Sequence, residues 1–478
     1  MTHTLTRRPT IKYTVESFII ASLLSLSGWF LLYYIDLISL DNLLILFSFV
    51  FGWALLINWL MVLERKKIFG VVSIYFWMTF IFIQIGYLII FFASQNQHLI
   101  SKLYLGFEVT PILEPIIFSF LSMIAFLFGV TVNKSFIKGR VRKRTTFIWP
   151  VDGKRIDMIA SLILISCFIF YMVAAWSRGG LLTFKLMQGD ATVHDTRLEY
   201  HYGAPTYFFF HPSIVSQTYN AIGPLILFYF IQRAWGKGIK SKVYKMLSII
   251  YALILLFMLI NSLHRSSLML VGIWGLILLY YYRNKVSVYF IFLLFIVFVG
   301  FSLFLHGYDD NFFEIFMLNV MRRFFIVNSM VNYFDYSVFP IEYDFRLGGT
   351  YLAYLKSIGG SGVSFAKENI SLIYPHHTVG TAPVGDVTEG WINFGWTSLP
   401  MFVIGGMILS TIDRNLTRLH SNDLGRAYAA GVVMLVGSVS FGGILPIMFS
   451  GGGLCLLLTY FVLIKLRLPR IYSNVSPL

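Results

Sequence analysis

The sequence predicts an all-α polytopic membrane protein of about twelve transmembrane helices, and three observations predict it. The composition is apolar. Of 478 residues, 57% are hydrophobic and 12% charged, with a mean hydropathy of +0.75, against about 25% charged in ordinary soluble domains. The apolar residues fall into runs near the ~20 residues that a bilayer-crossing helix needs. The cations are concentrated in alternate segments between these runs.

The expected spans run 15–36, 42–63, 69–93, 113–133, 158–176, 211–232, 246–263, 267–282, 286–305, 397–412, 427–447 and 451–466. The first has no small-residue cleavage site after it and reads as a retained span, with Arg7 and Arg8 as its inner anchor. With the N-terminus inside, the inner segments carry 27 of the 37 Lys and Arg residues. That bias puts both termini on the cytoplasmic side. It also accounts for the net charge of +15 as a topology signal with attraction to anionic lipid, not as a nucleic-acid footprint. Cys167 and Cys455 both fall in apolar stretches, which leaves no disulfide framework and no cysteine metal site.

The outer face holds what the bias does not explain: the other ten cations and eight of the ten histidines. Residues 177–210 form one polar outer loop, with Arg178 at its start. Asn261–Ser267 is a tight outer turn containing His264 and Arg265. Residues 306–396 form a large, partly helical outer loop between the ninth and tenth spans. Its Asn311–Val327 stretch has helix formers with apolar residues on most sides, suited to burial or to the membrane interface. Gly348-Gly349 and Gly359-Gly360-Ser361-Gly362 mark true loops, and Gly and Pro between Tyr374 and Trp396 turn the chain back toward the membrane.

The sixth span is unusual in its outer half. Beyond His211-Pro212, the residues Ser213, Ser216, Gln217 and Asn220 share one helical face. Such groups are expected to face a neighbour or a wet cavity, lined by His211, Gln217, Asn220 and His264, with Pro224 permitting a kink. No internal repeat is evident. No span carries a central ionisable residue, which counts against an ion-coupled carrier.

Three local patterns resemble the Wzy-type oligosaccharide repeat-unit polymerases of bacterial O-antigen and capsule assembly, relatives of the O-antigen ligases. They are Leu263-His264-Arg265-Ser266-Ser267-Leu268 at the mouth of a span, and Met321-Arg322-Arg323-Phe324-Phe325 early in the late loop. The third is the loop end Asp386-x-x-Glu389-Gly390-Trp391-x-Asn393-Phe394-Gly395. The ligases anchor a late-loop pattern on histidine, and neither His376 nor His377 fits that spacing. The resemblance implies a GT-C-like membrane glycosyltransferase in the cytoplasmic (inner) membrane. It would act without metal, cofactor or nucleotide sugar on undecaprenyl-pyrophosphate-linked oligosaccharide, for O-antigen (lipopolysaccharide), capsule or exopolysaccharide. A flippase and a chain-length regulator of the same pathway are the implied partners, with membrane lipid and without nucleic acid.

The chemistry of that reaction selects residues. A pyrophosphate leaving group without a metal suits arginine, which is always charged and binds phosphate oxygens in pairs. The candidates are Arg265, Arg322, Arg323, Arg346 and Arg178, each of which also suits a plain loop anchor. Proton transfer from the acceptor hydroxyl suits His376, His377, Asp386 or Glu389. Asp386 and Glu389 lie three apart, on one helical face, and equally suit a helix start. Glu342-Tyr343-Asp344 and Asp309-Asp310 carry an acidic pattern able to hold a divalent cation, but the metal-free route is preferred. The rival readings are another lipid-linked-glycan transferase or ligase, and a flippase or carrier.

Overall fold

A computed structural model describes residues 40–64, 69–95, 111–138, 153–177, 180–181, 212–235, 239–262, 265–283, 326–358, 365–373, 384–417, 419, 423–449 and 451–465. In chain order these form α1 (Leu40–Glu64), α2 (Val71–Thr79), α3 (Ile85–Ser94), α4 (Glu114–Lys138), α5 (Gly153–Ser177) and α6 (Pro212–Gln217). Then come α7 (Gly223–Ala234), α8 (Ile239–Ser262), α9 (Arg265–Arg283), α10 (Val327–Val338), α11 (Gly349–Ile358) and α12 (Phe365–Ile373). The last are α13 (Asp386–Phe394), α14 (Leu399–Leu416), α15 (Asp423–Gly442), α16 (Ile444–Phe449) and α17 (Gly453–Lys465). Among the described residues there is no strand.

Among the described residues, seven helical stretches are long and apolar enough to cross a membrane: 45–64, 71–94, 114–136, 156–177, 214–234, 242–262 and 386–416. Ten of the twelve expected spans coincide with helices, while 15–36 and 286–305 lie outside the described residues. The expected turn between the seventh and eighth spans falls between α8 and α9, although the apolar part of α9 is short, Leu270–Tyr281. The expected span 427–447 is instead broken at Gly443, where a φ of +73° ends α15 before α16 begins.

The chain forms two compact units. The first comprises residues 1–142, 303–415 and 436–447. Its core is aromatic: Trp53 packs on Phe76, Phe80 and Phe120, and Tyr75 on Phe126. Helices α4 and α14 touch backbone to backbone, because Gly129 faces the Val403 carbonyl and Gly406 that of Phe126, with no room for a Cβ at either. Small residues allow such approach where lipid gives no hydrophobic drive between helices. Polar ties fix the same helices. Asn133 donates to the Met407 carbonyl at 3.1 Å, Lys134 pairs with Glu64 at 2.6 Å, and Asp413 accepts the Val71 amide at 2.8 Å.

Between α2 and α3 the helix widens into a π turn, Phe80–Gln84. Such a turn interrupts the regular ladder of carbonyl acceptors. Ser329 of α10 answers it, its hydroxyl lying 2.8 Å from the Phe82 carbonyl and 3.1 Å from that of Ile83. A polar helix can therefore pack against an apolar one without leaving buried acceptors bare.

The second unit comprises residues 143–302, 416–435 and 448–478. Asp157 of α5 accepts from Tyr229 and Tyr244, each at 2.6 Å, with the Arg233 guanidinium at 3.4 Å. The kink expected at Pro224 takes the form of a second π turn, Thr218–Ile222. Pro224 has no N–H for the carbonyl four residues back, which disfavours a regular helix there.

Candidate functional site

Helix α13 is set in place from both ends. Gly385 precedes it in extended conformation, and its amide is held by Asn332 Oδ1 at 2.9 Å. At the other end Gly395 adopts φ +55° and ψ −139°, a conformation open to glycine. A Cβ there would lie 2.6 Å from the Phe345 ring. In between, Trp391 fills the core, stacking on Tyr336 with centroids 5.0 Å apart and donating its indole N–H to the Phe339 carbonyl at 2.9 Å.

The depth of α13 differs from expectation. Tyr75 of α2 donates to Asp386 Oδ2 at 2.5 Å, and the Tyr87 and Thr388 hydroxyls of α3 and α13 meet at 2.8 Å. Tyr75 and Tyr87 stand about 18 Å apart along their helix, yet their phenols end on residues two apart. They converge on α13 from opposite directions, so its N-terminus lies beside the middle of the 71–94 stretch. The stretch ending at Trp396 was expected as loop, with a span beginning at 397. The structure instead gives one apolar helical stretch, Asp386–Leu416, bent at Gly395. It also places ionisable groups at mid-helix level, which inspection of each span by itself did not anticipate.

Asp386 and Glu389 share one face of α13, and their surroundings treat them alike. One oxygen of each accepts a hydroxyl: Asp386 Oδ2 from Tyr75, and Glu389 Oε1 from Thr350 of α11 at 3.2 Å. The other oxygen of each, Asp386 Oδ1 and Glu389 Oε2, is buried with no hydrogen bond of good geometry among the described residues. The amides of Asp386 and Val387 approach the first carboxylate, and that of Ile444 the second. No ion pair reaches either acid among the described residues. Tyr351 of α11 faces both. Burial raises its phenol above the ordinary value, and the charges of Glu389 and then Asp386 push in the same direction. The site is thus two carboxylates, each with one oxygen held by a hydroxyl and with backbone amides close by.

A third acid, Asp335, lies buried on α10. Asp335 Oδ2 accepts from Asn369 of α12 at 3.1 Å, while Oδ1 has no partner among the described residues. Burial pushes its carboxyl well above the usual carboxylate range, and the Asn369 bond opposes this.

Of the other candidates, Arg346 turns away from the acids. Its guanidinium pairs with Glu368 at 3.3 Å and lies 5.4 Å over the Phe365 ring, the anchoring role. Gln217 belongs to the second unit, where it is buried and bonds across a helix break. It donates to the Phe449 carbonyl and accepts the Cys455 amide at 3.4 Å. Asn220 sits in the π turn, partly buried. Arg265 is the first residue of α9, in the second unit, and its side chain lies outside the described set. His211, His264, His376, His377, Arg178, Arg322 and Arg323 lie outside the described residues, as do Asp309-Asp310 and most of the 311–327 stretch. Glu342 and Asp344 are exposed. Among the described residues no three His, Cys, Asp or Glu side chains gather to hold a metal ion.

Sequence reading missed Tyr75, Thr350, Tyr351 and Asn332. Asn393 was visible inside the acidic pattern, one helical turn beyond Glu389, but without a role.

No family model, curated protein or solved structure matches the chain. The functional reading therefore rests on the site and on the patterns that carry the resemblance.

Proposed function

We propose that the chain is a membrane glycosyltransferase that polymerises lipid-linked oligosaccharide repeat units. The growing glycan leaves undecaprenyl pyrophosphate and joins a sugar hydroxyl of the next lipid-linked unit. The observation that carries this reading is the Asp386–Gly395 stretch. The pattern that resembles the polymerases is a single built element that delivers two carboxylates into a buried cluster of hydroxyl and amide side chains within the helix packing.

The reaction breaks the bond between the anomeric carbon and the pyrophosphate oxygen and forms one to the acceptor oxygen. The acceptor proton passes to a carboxylate, for which Glu389 is the first choice, being the more buried of the two acids. A buried base kept from bulk water disfavours hydrolysis in place of transfer. The leaving pyrophosphate needs fixed positive charge. Arg265, Arg322 and Arg323 remain the candidates, and the engagement of Arg346 with Glu368 sets it behind them. The membrane would be the bacterial cytoplasmic membrane, with the late loop outside.

One observation favours a second reading. Carboxylates beside the middle of an apolar stretch, with helices interrupted nearby at Gly395 and Gly443, are also features of coupled carriers. A flippase for the same lipid-linked oligosaccharide is therefore the alternative. Deleting the gene and separating the surface polysaccharide by electrophoresis distinguishes them. Loss of a polymerase leaves single-repeat product at the surface, loss of a flippase leaves none, and loss of a ligase accumulates long lipid-linked glycan.

A further inference from the structure

Glu389, when ionised, is held by a relay whose hydrogen-bond polarity is set by its neighbours. Asn393 lies one turn further along α13, and its side-chain oxygen accepts the backbone amides of Gly348 at 3.0 Å and Thr350 at 3.4 Å. An amide NH2 placed there would oppose two donors, so the orientation of the side chain is fixed by its neighbours. Its nitrogen then points the other way and donates to the Glu389 carbonyl at 2.8 Å and to Thr350 Oγ1 at 2.6 Å. A threonine hydroxyl has a single proton. Its oxygen accepts from Asn393, and its proton goes to the acceptor-only carboxylate of ionised Glu389 at Oε1, 3.2 Å away. Thr350 is 2% exposed, Asn393 0% and Glu389 7%, so water does not offer any of them an easy substitute.

The backbone delivers Thr350 to this place. The amides of Arg346 and Leu347 bond to the carbonyls of Ile392 and Asn393 at 2.9 and 3.0 Å, docking the turn before α11 onto the end of α13. Glu389 Oε2 is left on the far side, toward Gly443, where a Cβ would come within 3.1 Å of it.

We propose that Thr350, its proton aimed by Asn393, is a positioning residue for Glu389: by holding Oε1 it fixes the orientation of the carboxyl that takes the proton of the reacting hydroxyl. A glutamate carboxyl otherwise turns freely about its last torsion, and a base must be held within hydrogen-bond reach of the proton it removes. The role rests on the reading of Glu389 as the base, and the two are separable by experiment.

The test is isotope-edited infrared spectroscopy on the full chain in detergent micelles, with Glu389→Gln assigning the Glu389 carboxyl band. Thr350→Val should move that band, and Thr350→Ser, which keeps the hydroxyl, should leave it in place. With the same variants in the chromosome, Thr350→Val should lower polymer output about tenfold, the scale of one lost hydrogen bond to a charged group, and Thr350→Ser should restore it. If Thr350→Val does not fold, Asn393→Asp serves instead. It keeps the acceptor for the Gly348 and Thr350 amides but claims the Thr350 proton, so the band should again move. A band unmoved in the folded variant overturns the positioning role. A moved band with full-length polymer in Glu389→Gln cells leaves the relay standing and overturns Glu389 as the base.

Discussion

At the scale of single residues, the decisive fact is pairing across great sequence distance. Tyr75 and Asp386 are 311 positions apart, and Tyr87 and Thr388 are 301 apart. No local pattern reports such pairs, which is why Asp386 and Glu389 were legible from their spacing while Tyr75 and Thr350 were not. Arg346 was visible as an outer cation, but its engagement by Glu368 was not. Asp335 offers a sharp test of burial. Its native carboxyl holds its proton to higher pH than the ~3.9 of an unfolded aspartate. The folded state therefore binds the proton more tightly, and stability falls as pH rises from the unfolded value toward the raised native one. Asp335→Asn carries no such charge. Its melting temperature, followed by tryptophan fluorescence in detergent, should exceed that of the wild type at pH 8 and approach it at pH 4. Arg265→Ala, if that residue holds the pyrophosphate, should shorten the polysaccharide sharply at unchanged protein level, and an unchanged length distribution removes Arg265 from the site.

At the scale of elements, hydropathy found the long apolar helices because each is a continuous run. It did not find the depth of α13, a nine-residue helix too short and too polar to register as part of a span. What places it is tertiary: Asn332 at its start, Trp391 in the core and the glycine bend at its end. Helix α10 is the least expected element. Its sequence looks like outer-loop material, yet Ser329, Asn332 and Asp335 all turn inward onto other helices. Polar residues serve there as hydrogen-bond partners for interrupted backbone, a role that composition does not distinguish from solvation. The Gly395 bend is directly testable. Gly395→Ala combines a backbone conformation strained for any side chain with a 2.6 Å approach to the Phe345 ring. It should cost about 1–3 kcal/mol and show as a lower melting temperature, whereas Gly405→Ala, with open space at its Cβ, should not.

At the scale of the whole molecule, the outlines of the fold followed from composition and the placement of Lys and Arg. The division into two units did not, because both are assembled from separated stretches of chain. The cation bias predicts a sidedness that is open to direct measurement. In a background with Cys167 and Cys455 replaced by Ser, Ile341→Cys, 77% exposed, should react with an impermeant maleimide in intact spheroplasts. Ser135→Cys, at the opposite side by the same bias, should react only after permeabilisation. The central claim is that Glu389 of α13 serves a polymerase. It is tested most directly by electrophoresis of surface polysaccharide from cells whose own gene carries Glu389→Gln, with the protein present at wild-type level. The account predicts single-repeat product in place of the long-chain ladder. A full-length ladder, or the absence of any surface product, would contradict it.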